Sequence, residues 1–143
     1  MGQLEGKTLA QAAAVVVGIA YLLGGVIGFA ITGFAHPLSQ TGHSFIGFTL
    51  NPFHDLVHLA IGLLLIWAST RDTAVTEGVL LGGGGVYLVA GITGLIYAHI
   101  PILTITTSSN ADNILHLVTG ATAVLVSVVS ASATGHKRRS AAY

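Results

Sequence analysis

Cysteine and charge are the two scarce features of this sequence. The chain has no cysteine, and Asp, Glu, Lys and Arg make up 7% of its 143 residues, against 52% hydrophobic residues. Without cysteine, a disulfide framework, a thiol nucleophile and a Cys-ligated iron–sulfur cluster are excluded. Five Lys and Arg balance five Asp and Glu, so the basic excess of a nucleic-acid-binding protein is also missing. Because soluble domains carry about 25% charged residues, the composition indicates a protein surrounded mostly by lipid.

Four apolar runs are each long enough to cross a bilayer. They occupy residues 9–32 (span one), 52–69 (span two), 78–98 (span three) and 112–131 (span four). A helix rises about 1.5 Å per residue, and the hydrocarbon core is about 30 Å thick. Lys7 precedes span one as in a secretory signal, but the apolar core is too long for one, so we expect the span to be retained. We predict an all-α membrane protein with four transmembrane helices in a single domain over residues 1–143.

The basic residues predict how the chain is oriented. Lys7 precedes span one, Arg71 lies between spans two and three, and residues 137–139 (KRR) follow span four. The first and third loops contain no Lys or Arg. The positive-inside rule therefore places both termini in the cytoplasm and these two loops outside. The first loop is apolar for an exposed segment, so we expect it to lie on the membrane surface or against another protein.

Spans one and three share a sequence pattern, and so do spans two and four. Residues 21–28, YLLGGVIG, match residues 87–94, YLVAGITG, at an offset of 66. Residues 55–62, DLVHLAIG, match residues 113–120, NILHLVTG, at an offset of 58. We predict an internal duplication in which residues 9–69 and 78–131 form two tandem antiparallel hairpins. Because each repeat holds two spans, their pseudo-two-fold axis runs along the membrane normal.

Small residues recur at four-residue intervals in the matching spans. The predicted stripes are Ala20, Gly24 and Gly28 in span one and Ala90, Gly94 and Ala98 in span three. Small side chains allow helices to approach closely in lipid. We expect both stripes to be helix-packing faces, used either within the chain or against a partner subunit or a second copy.

Two sequence blocks support a family resemblance. Residues 51–58, NPFHDLVH, and residues 110–117, NADNILHL, each open a span. They resemble the corresponding blocks of a family of small four-helix bacterial membrane proteins, common in actinobacteria and known only as a domain of unknown function. The resemblance covers spans two to four, and it implies a multi-pass protein of the bacterial plasma membrane without an assigned reaction.

Histidines dominate the polar residues at the outer ends of the spans. His54 and His58 lie four residues apart on span two, which places them on one helix face. The aligned positions on span four are Asp112 and His116. If spans two and four are neighbours, three imidazoles and one carboxylate converge, and this donor set suits Zn or Cu. The candidate metal ligands are therefore His54, His58, Asp112 and His116, with Asp55 and its counterpart Asn113 as candidates to orient an imidazole.

Two other interpretations of the same residues stay open. Asn51 followed by Pro52 is typical of a helix N-cap, so Asp55 and Asp112 have a simpler role beside helix N-termini. His58 would then hydrogen-bond a neighbouring helix without any metal. Haem held between His58 and His116 is less favoured than Zn or Cu, because the outer loops offer no Lys or Arg for its propionates.

The sequence favours a partner subunit over an enzyme, because neither outer loop carries a nucleophile–base–acid set. We predict an accessory or scaffolding subunit of a larger plasma-membrane complex, of respiratory or oxygenase type, without catalysis of its own. Its expected partners are the lipid bilayer and larger membrane-protein subunits, with self-association open. The alternative is a metal- or haem-binding redox or metal-handling protein that uses the His/Asp cluster. A third hypothesis is an outward-facing pH sensor, because imidazole titrates close to neutral pH.

Overall fold

Four long helices and one β-hairpin make up the described part of the chain. The structure, a computed structural model, describes residues 6–39, 43–97 and 111–140. The elements follow in the order α1 (Leu9–Thr32), β1 (His43–Phe45), β2 (Phe48–Leu50), α2 (Pro52–Ser69), α3 (Thr73–Tyr97) and α4 (Ala111–Ser140). Each helix contains a segment long and apolar enough to cross a membrane. The four predicted helices are confirmed, and all four are candidate membrane spans by length and composition.

The helix bounds agree with spans one and two and extend beyond spans three and four. Helix α3 begins at Thr73 rather than residue 78, because Asp72 caps it: its Oδ1 accepts a hydrogen bond of 3.0 Å from the Val75 N–H. Helix α4 continues to Ser140, well past residue 131, since Ala, Lys and Arg favour a helix whether or not lipid surrounds it. Asn51 caps α2 as predicted, and Pro52 occupies the first helical position.

The helices pack as two pairs. Helix α1 packs along α2, and α3 packs along α4, with smaller contacts between the pairs. Glycines bring the paired backbones together: a Cβ added to Gly62 would lie 2.8 Å from the carbonyl oxygen of Gly18. In the other pair, a Cβ added to Gly120 would lie 2.8 Å from the carbonyl oxygen of Gly84. These are the close approaches that small residues permit in lipid.

The same positions are buried on α1 and α3. On α1 these are Ala10, Ala14, Gly18, Tyr21, Gly25 and Gly28, and on α3 they are Thr76, Leu80, Gly84, Tyr87, Gly91 and Gly94. Each residue of the second set lies 66 positions after its counterpart. The two helices therefore present their packing faces in the same register.

This packing face differs from the predicted small-residue stripes. Gly28 and Gly94 are buried as expected, but Ala20 is exposed, and Gly24 and Ala90 are only half-buried. The reason is geometric: a strict four-residue step turns about 400° around a helix, so the stripe drifts off the contact by about 40° per step. The observed face combines steps of four residues with steps of three, which keeps it on one side. Ala98 lies outside the described residues.

The described part of the first loop carries a β-hairpin that the sequence analysis did not predict. Strands β1 and β2 are antiparallel, with His43 opposite Leu50 and Phe45 opposite Phe48. The two linking residues, Ile46 and Gly47, have φ of 49° and 85°, the positive values that a two-residue type I′ turn requires. We call this end of the bundle the hairpin end. Residues 101–109 of the third loop lie outside the described ranges.

The opposite end carries the basic residues that the structure describes in full, and we call it the Arg71 end. The Lys7 ammonium donates to the carbonyl of Ser69 at 3.2 Å, and the Gln11 amide donates to the carbonyl of Arg71 at 2.7 Å. These bonds join the start of α1 to the short link between α2 and α3. Lys7 and Arg71 therefore lie at the same end of the bundle, as the charge pattern predicts.

Candidate functional site

Three buried side chains from α2 and α4 converge at the hairpin end. One donor atom from each of His54, Asp112 and His116 lies within 4.8 Å of the other two. His54 Nε2 lies 3.6 Å from Asp112 Oδ1. The exposed fractions of the three residues are 1%, 0% and 4%. The proximity of α2 and α4 on which the predicted cluster depends is therefore present, and we call these three residues the His/Asp cluster.

Local structure at the two helix starts positions the cluster. The Asn51 cap accepts a hydrogen bond of 2.8 Å from the backbone N–H of His54, which places that residue in the first turn of α2. Asp112 lies in the first turn of α4, next to the backbone of Thr49 in β2. His116 follows four residues later and therefore lies one turn deeper on the same face. Strand β2 thus closes the cluster from the hairpin end.

His58 lies beside the cluster but outside its three-residue donor group. Its ring centroid is 4.5 Å from that of His54, and its ring meets Tyr21 edge-on at 5.2 Å. Within the described part of the chain, His58 Nε2 and His116 Nδ1 are buried without a hydrogen-bond partner. Both residues are more than nine-tenths buried, with exposed fractions of 7% and 4%. A buried imidazole nitrogen without a partner is unfavourable and requires an explanation.

Two tyrosines that the sequence analysis did not assign to the site form its floor. Tyr21 and Tyr87 meet edge-on at 5.5 Å, and Tyr87 meets His116 edge-on at 4.9 Å. Each tyrosine thus contacts one histidine, and the two tyrosines contact each other. The sequence signal was available, because Tyr21 and Tyr87 open the matching segments of spans one and three. Their place in the floor could not be predicted, because the sequence does not show which faces of α1 and α3 turn inward.

Asp55 and Asn113 lie against the partner helix of their own pair. Thr32 Oγ1 donates a hydrogen bond of 2.6 Å to Asp55 Oδ2, and the Asp55 carboxylate packs against Gly28. The side chain of Asn113 packs against Gly94 in the corresponding way. One residue further along a helix is about 100° further around it, so with His54 facing the cluster, Asp55 faces α1. Thr32 therefore holds one oxygen of the Asp55 carboxylate, and the predicted role of Asp55 in orienting an imidazole stays a prediction.

The donor set and spacing suit a single metal ion. Zinc bonds to imidazole and carboxylate of about 2.0–2.2 Å place neighbouring ligand atoms about 3.3–3.6 Å apart in a tetrahedron. The 3.6 Å separation of His54 Nε2 from Asp112 Oδ1 falls at this spacing, and it is too long for a hydrogen bond. Donor atoms of these three buried residues, all within 4.8 Å of one another, suit an ion. Haem ligation by His58 and His116 stays a prediction.

These features define a class of protein: a helical membrane bundle with a buried histidine–aspartate cluster near one end. The chain belongs to the family described as Domain of unknown function (DUF4383), whose model matches residues 11–129. The match spans all four helices and confirms the resemblance drawn from the blocks that open spans two and four. No curated protein and no solved structure matches the chain.

Proposed function

We propose that the protein is a metal-binding membrane protein that holds one divalent transition-metal ion in the His/Asp cluster. The main evidence is that donor atoms of His54, Asp112 and His116 lie within 4.8 Å of one another in a buried position. These residues come from two helices that belong to different pairs. His58 supplies a further imidazole beside them. Three protein ligands leave one tetrahedral position for His58, after a shift of its ring, or for water.

The ligand chemistry favours zinc or copper(II). Imidazole and carboxylate suit Zn²⁺ and Cu²⁺, whereas copper(I) prefers thiolate and thioether ligands. The sequence has no cysteine and one methionine, Met1. Zinc is the simplest assignment, because mixed imidazole and carboxylate ligands in tetrahedral geometry are typical of it.

Charge balance supports a cation at this position. Asp55 and Asp112 are both buried at the hairpin end. Lys7 and Arg71 lie at the other end, and the remaining basic residues, 137–139, follow near the far end of α4. Buried carboxylates in a membrane are costly unless positive charge accompanies them. A divalent ion bound to Asp112 supplies that charge where the chain has placed no Lys or Arg.

The ion would also join the two helix pairs. His54 belongs to the α1–α2 pair, while Asp112 and His116 belong to the α3–α4 pair, and contacts between the pairs are smaller than those within them. A metal bonded to all three side chains therefore links the pairs at the hairpin end. This arrangement favours a metal-handling or metal-stabilised protein.

The test is the metal content of the full chain purified in detergent. We expect about one Zn²⁺ or Cu²⁺ per chain, measured by mass spectrometry of the metal, and loss of it in His54→Gln, Asp112→Asn and His116→Gln. The matched control is His136→Gln, a substitution of the same type on the same helix about 30 Å away by helical rise. X-ray absorption of the wild-type protein adds a readout that needs no variant, namely imidazole nitrogens at about 2.0 Å. A wild-type chain that stays metal-free in micromolar Zn²⁺ and Cu²⁺ would refute the proposal.

A second proposal is that the protein is an accessory subunit of a larger plasma-membrane complex, of respiratory or oxygenase type. It is favoured by a bare surface on α3: around Gly78, Gly82 and Gly85, an added Cβ would meet nothing within 4 Å. Spacings of four and three residues place these glycines on one outward face, and such a face permits close approach of another helix. Gentle extraction followed by native mass spectrometry should give an assembly that Gly82→Leu disrupts and the exposed control Val89→Leu does not. Recovery of the wild type as a lone chain would exclude it.

The proposal also includes the orientation of the chain in the membrane and its internal duplication. The shared position of Lys7 and Arg71 supports both termini in the cytoplasm, with the hairpin end and its cluster outside. The common register of α1 and α3, and the Gly18–Gly62 contact matched by Gly84–Gly120, support two tandem antiparallel hairpins derived by duplication. Their pseudo-two-fold axis would run along the membrane normal, with the metal near it.

A further inference from the structure

A second group of histidines lines a cavity at the hairpin end. The cavity has a volume of about 260 Å³, and its lining includes His36, which follows α1, and His43 in β1. Both histidines are exposed. Polar groups of Ser39, Asn51 and Thr32 complete much of the lining. Imidazole, hydroxyl and amide groups around one open cavity are donors for a divalent transition metal.

The cavity adjoins the first turn of α2, which carries His54 of the His/Asp cluster. Asn51, which lines it, accepts the hydrogen bond from the backbone N–H of His54. Thr32, which also lines it, donates to buried Asp55. Each of these lining residues is thus bonded to a residue in the first turn of α2.

The walls of the cavity are anchored to the structure beneath. The Asn51 side-chain amide donates to the carbonyl of Ser39 at 3.0 Å, and the Phe53 N–H donates to the carbonyl of Pro37 at 3.1 Å. The segment that carries His36 is therefore tied to the start of α2. His43 is held separately, because its strand pairs with β2. The two imidazoles reach the same cavity from two independently fixed segments.

Two other approaches to the cluster, both lined by described residues, do not suit a cation. Tyr21 and Tyr87 lie beneath it, and further toward the Arg71 end the helix backbones meet at glycines. A larger groove of about 310 Å³ is lined by residues of all four helices, but almost all of its lining is hydrocarbon. A hydrated ion is costly to move through such a surface.

We propose that His36 and His43 form a weak, exposed capture site for a divalent transition-metal cation and pass the ion to the His/Asp cluster. This inference rests on the proposed metal-binding function. The capture site accelerates loading by raising the local concentration of the ion at the cavity mouth. It does not contribute to holding the ion once the ion is buried.

The experiment separates the rate of loading from the final occupancy. Metal-free full chain in nanodiscs is mixed with Zn²⁺, and samples are quenched with EDTA at successive times, so that only the buried, EDTA-resistant zinc is counted. In His36→Gln/His43→Gln we expect loading to slow by about tenfold or more, since a local excess of binding groups raises association rates by about that factor. The final amount should stay at the wild-type level. His136→Gln is the matched control and should load at the wild-type rate.

Each outcome has a distinct meaning. If the wild-type protein acquires no EDTA-resistant zinc, both the proposed function and the capture site are refuted. If the double variant loads at the wild-type rate, the capture site alone is refuted. If its final zinc content falls, the capture site is also refuted, because the two histidines would then help to hold the buried ion. Wild-type protein with two equivalents of Cu²⁺ provides a readout independent of the variants. Its EPR spectrum should contain a second, imidazole-ligated copper that EDTA removes at once, and absence of this signal would also refute the capture site.

Discussion

Four consecutive glycines in the middle of α3 provide a sharp test of the packing. Residues 82–85 are all glycine, yet only Gly84 is tightly packed. A Cβ on Gly84 would lie 2.8 Å from the carbonyl oxygen of Gly120, 3.0 Å from Val124 Cγ2 and 3.1 Å from Ala123 Cβ. A Cβ on Gly83 or Gly85 would meet nothing within 4 Å. Gly84→Ala should therefore push α3 away from α4, whereas Gly83→Ala and Gly85→Ala should not.

The magnitude follows from two effects that the three variants separate. Replacing a mid-helix glycine by alanine stabilises a helix by about 0.5–1 kcal/mol, and all three variants share this gain. Only Gly84→Ala adds an overpacking cost of about 1–3 kcal/mol, because the nearest atom is a backbone oxygen that no rotamer change can move. The free energy of unfolding of Gly84→Ala should therefore fall below that of the other two variants by about 1–3 kcal/mol.

The measurement is an SDS titration in mixed micelles followed by far-UV circular dichroism. The gap between Gly84→Ala and its neighbours is the quantity of interest, since the comparison cancels helix propensity. Equal unfolding midpoints for the three variants would show that the Gly84–Gly120 contact does not set the distance between α3 and α4, and the packing scheme would then have to be abandoned.

Three further predictions test the site and the topology. Zn²⁺ at about 100 times its Kd should raise the free energy of unfolding of the wild-type chain by about 2.7 kcal/mol. In the same titration it should leave that of Asp112→Asn unchanged. Equal stabilisation of both proteins would exclude Asp112 as a ligand. Thr32→Val should lower the free energy of unfolding by about 1–3 kcal/mol, because it removes the hydrogen bond to the buried Asp55 carboxylate. The control Thr70→Val, at an exposed position, should leave it nearly unchanged. Equal effects of the two variants would count against that bond. Because the chain has no cysteine, an impermeant maleimide added to intact cells should label Leu38→Cys but reach Thr70→Cys only after lysis, and the reverse would invert the proposed orientation.

The helices were predictable because a long apolar run in lipid has few alternatives to a helix. The hairpin was not, since its strands have three residues each and its turn places Ile46, a β-branched residue, at positive φ. Positive φ is unfavourable for a β-branched residue, so the local sequence does not predict this turn. The start of α3 was missed because Asp72 extends the helix through a polar segment where hydropathy carries no information.

The site was predictable in its members more than in its geometry. Alignment of the two halves paired His54 with Asp112 and His58 with His116, and the structure brings three of these four into one donor group. The position of His58 outside that group, and the pairing of Asp55 with Thr32, depend on rotation of each helix about its axis. Spacing along one helix cannot give that rotation, because it is set by contacts with the neighbouring helix.

The short link between α2 and α3 has a mechanical consequence. The α1–α2 and α3–α4 pairs are joined covalently by residues 70–72 at one end, while the His/Asp cluster lies at the other. The arrangement is a lever about 27 Å long, the length of an 18-residue helix. A rotation of 1° about the link displaces the far ends by about 0.5 Å, more than the tolerance of about 0.2 Å for metal–ligand distances. Ligand geometry at the hairpin end would thus respond to very small changes in the angle between the pairs, such as those that lateral pressure in the bilayer imposes.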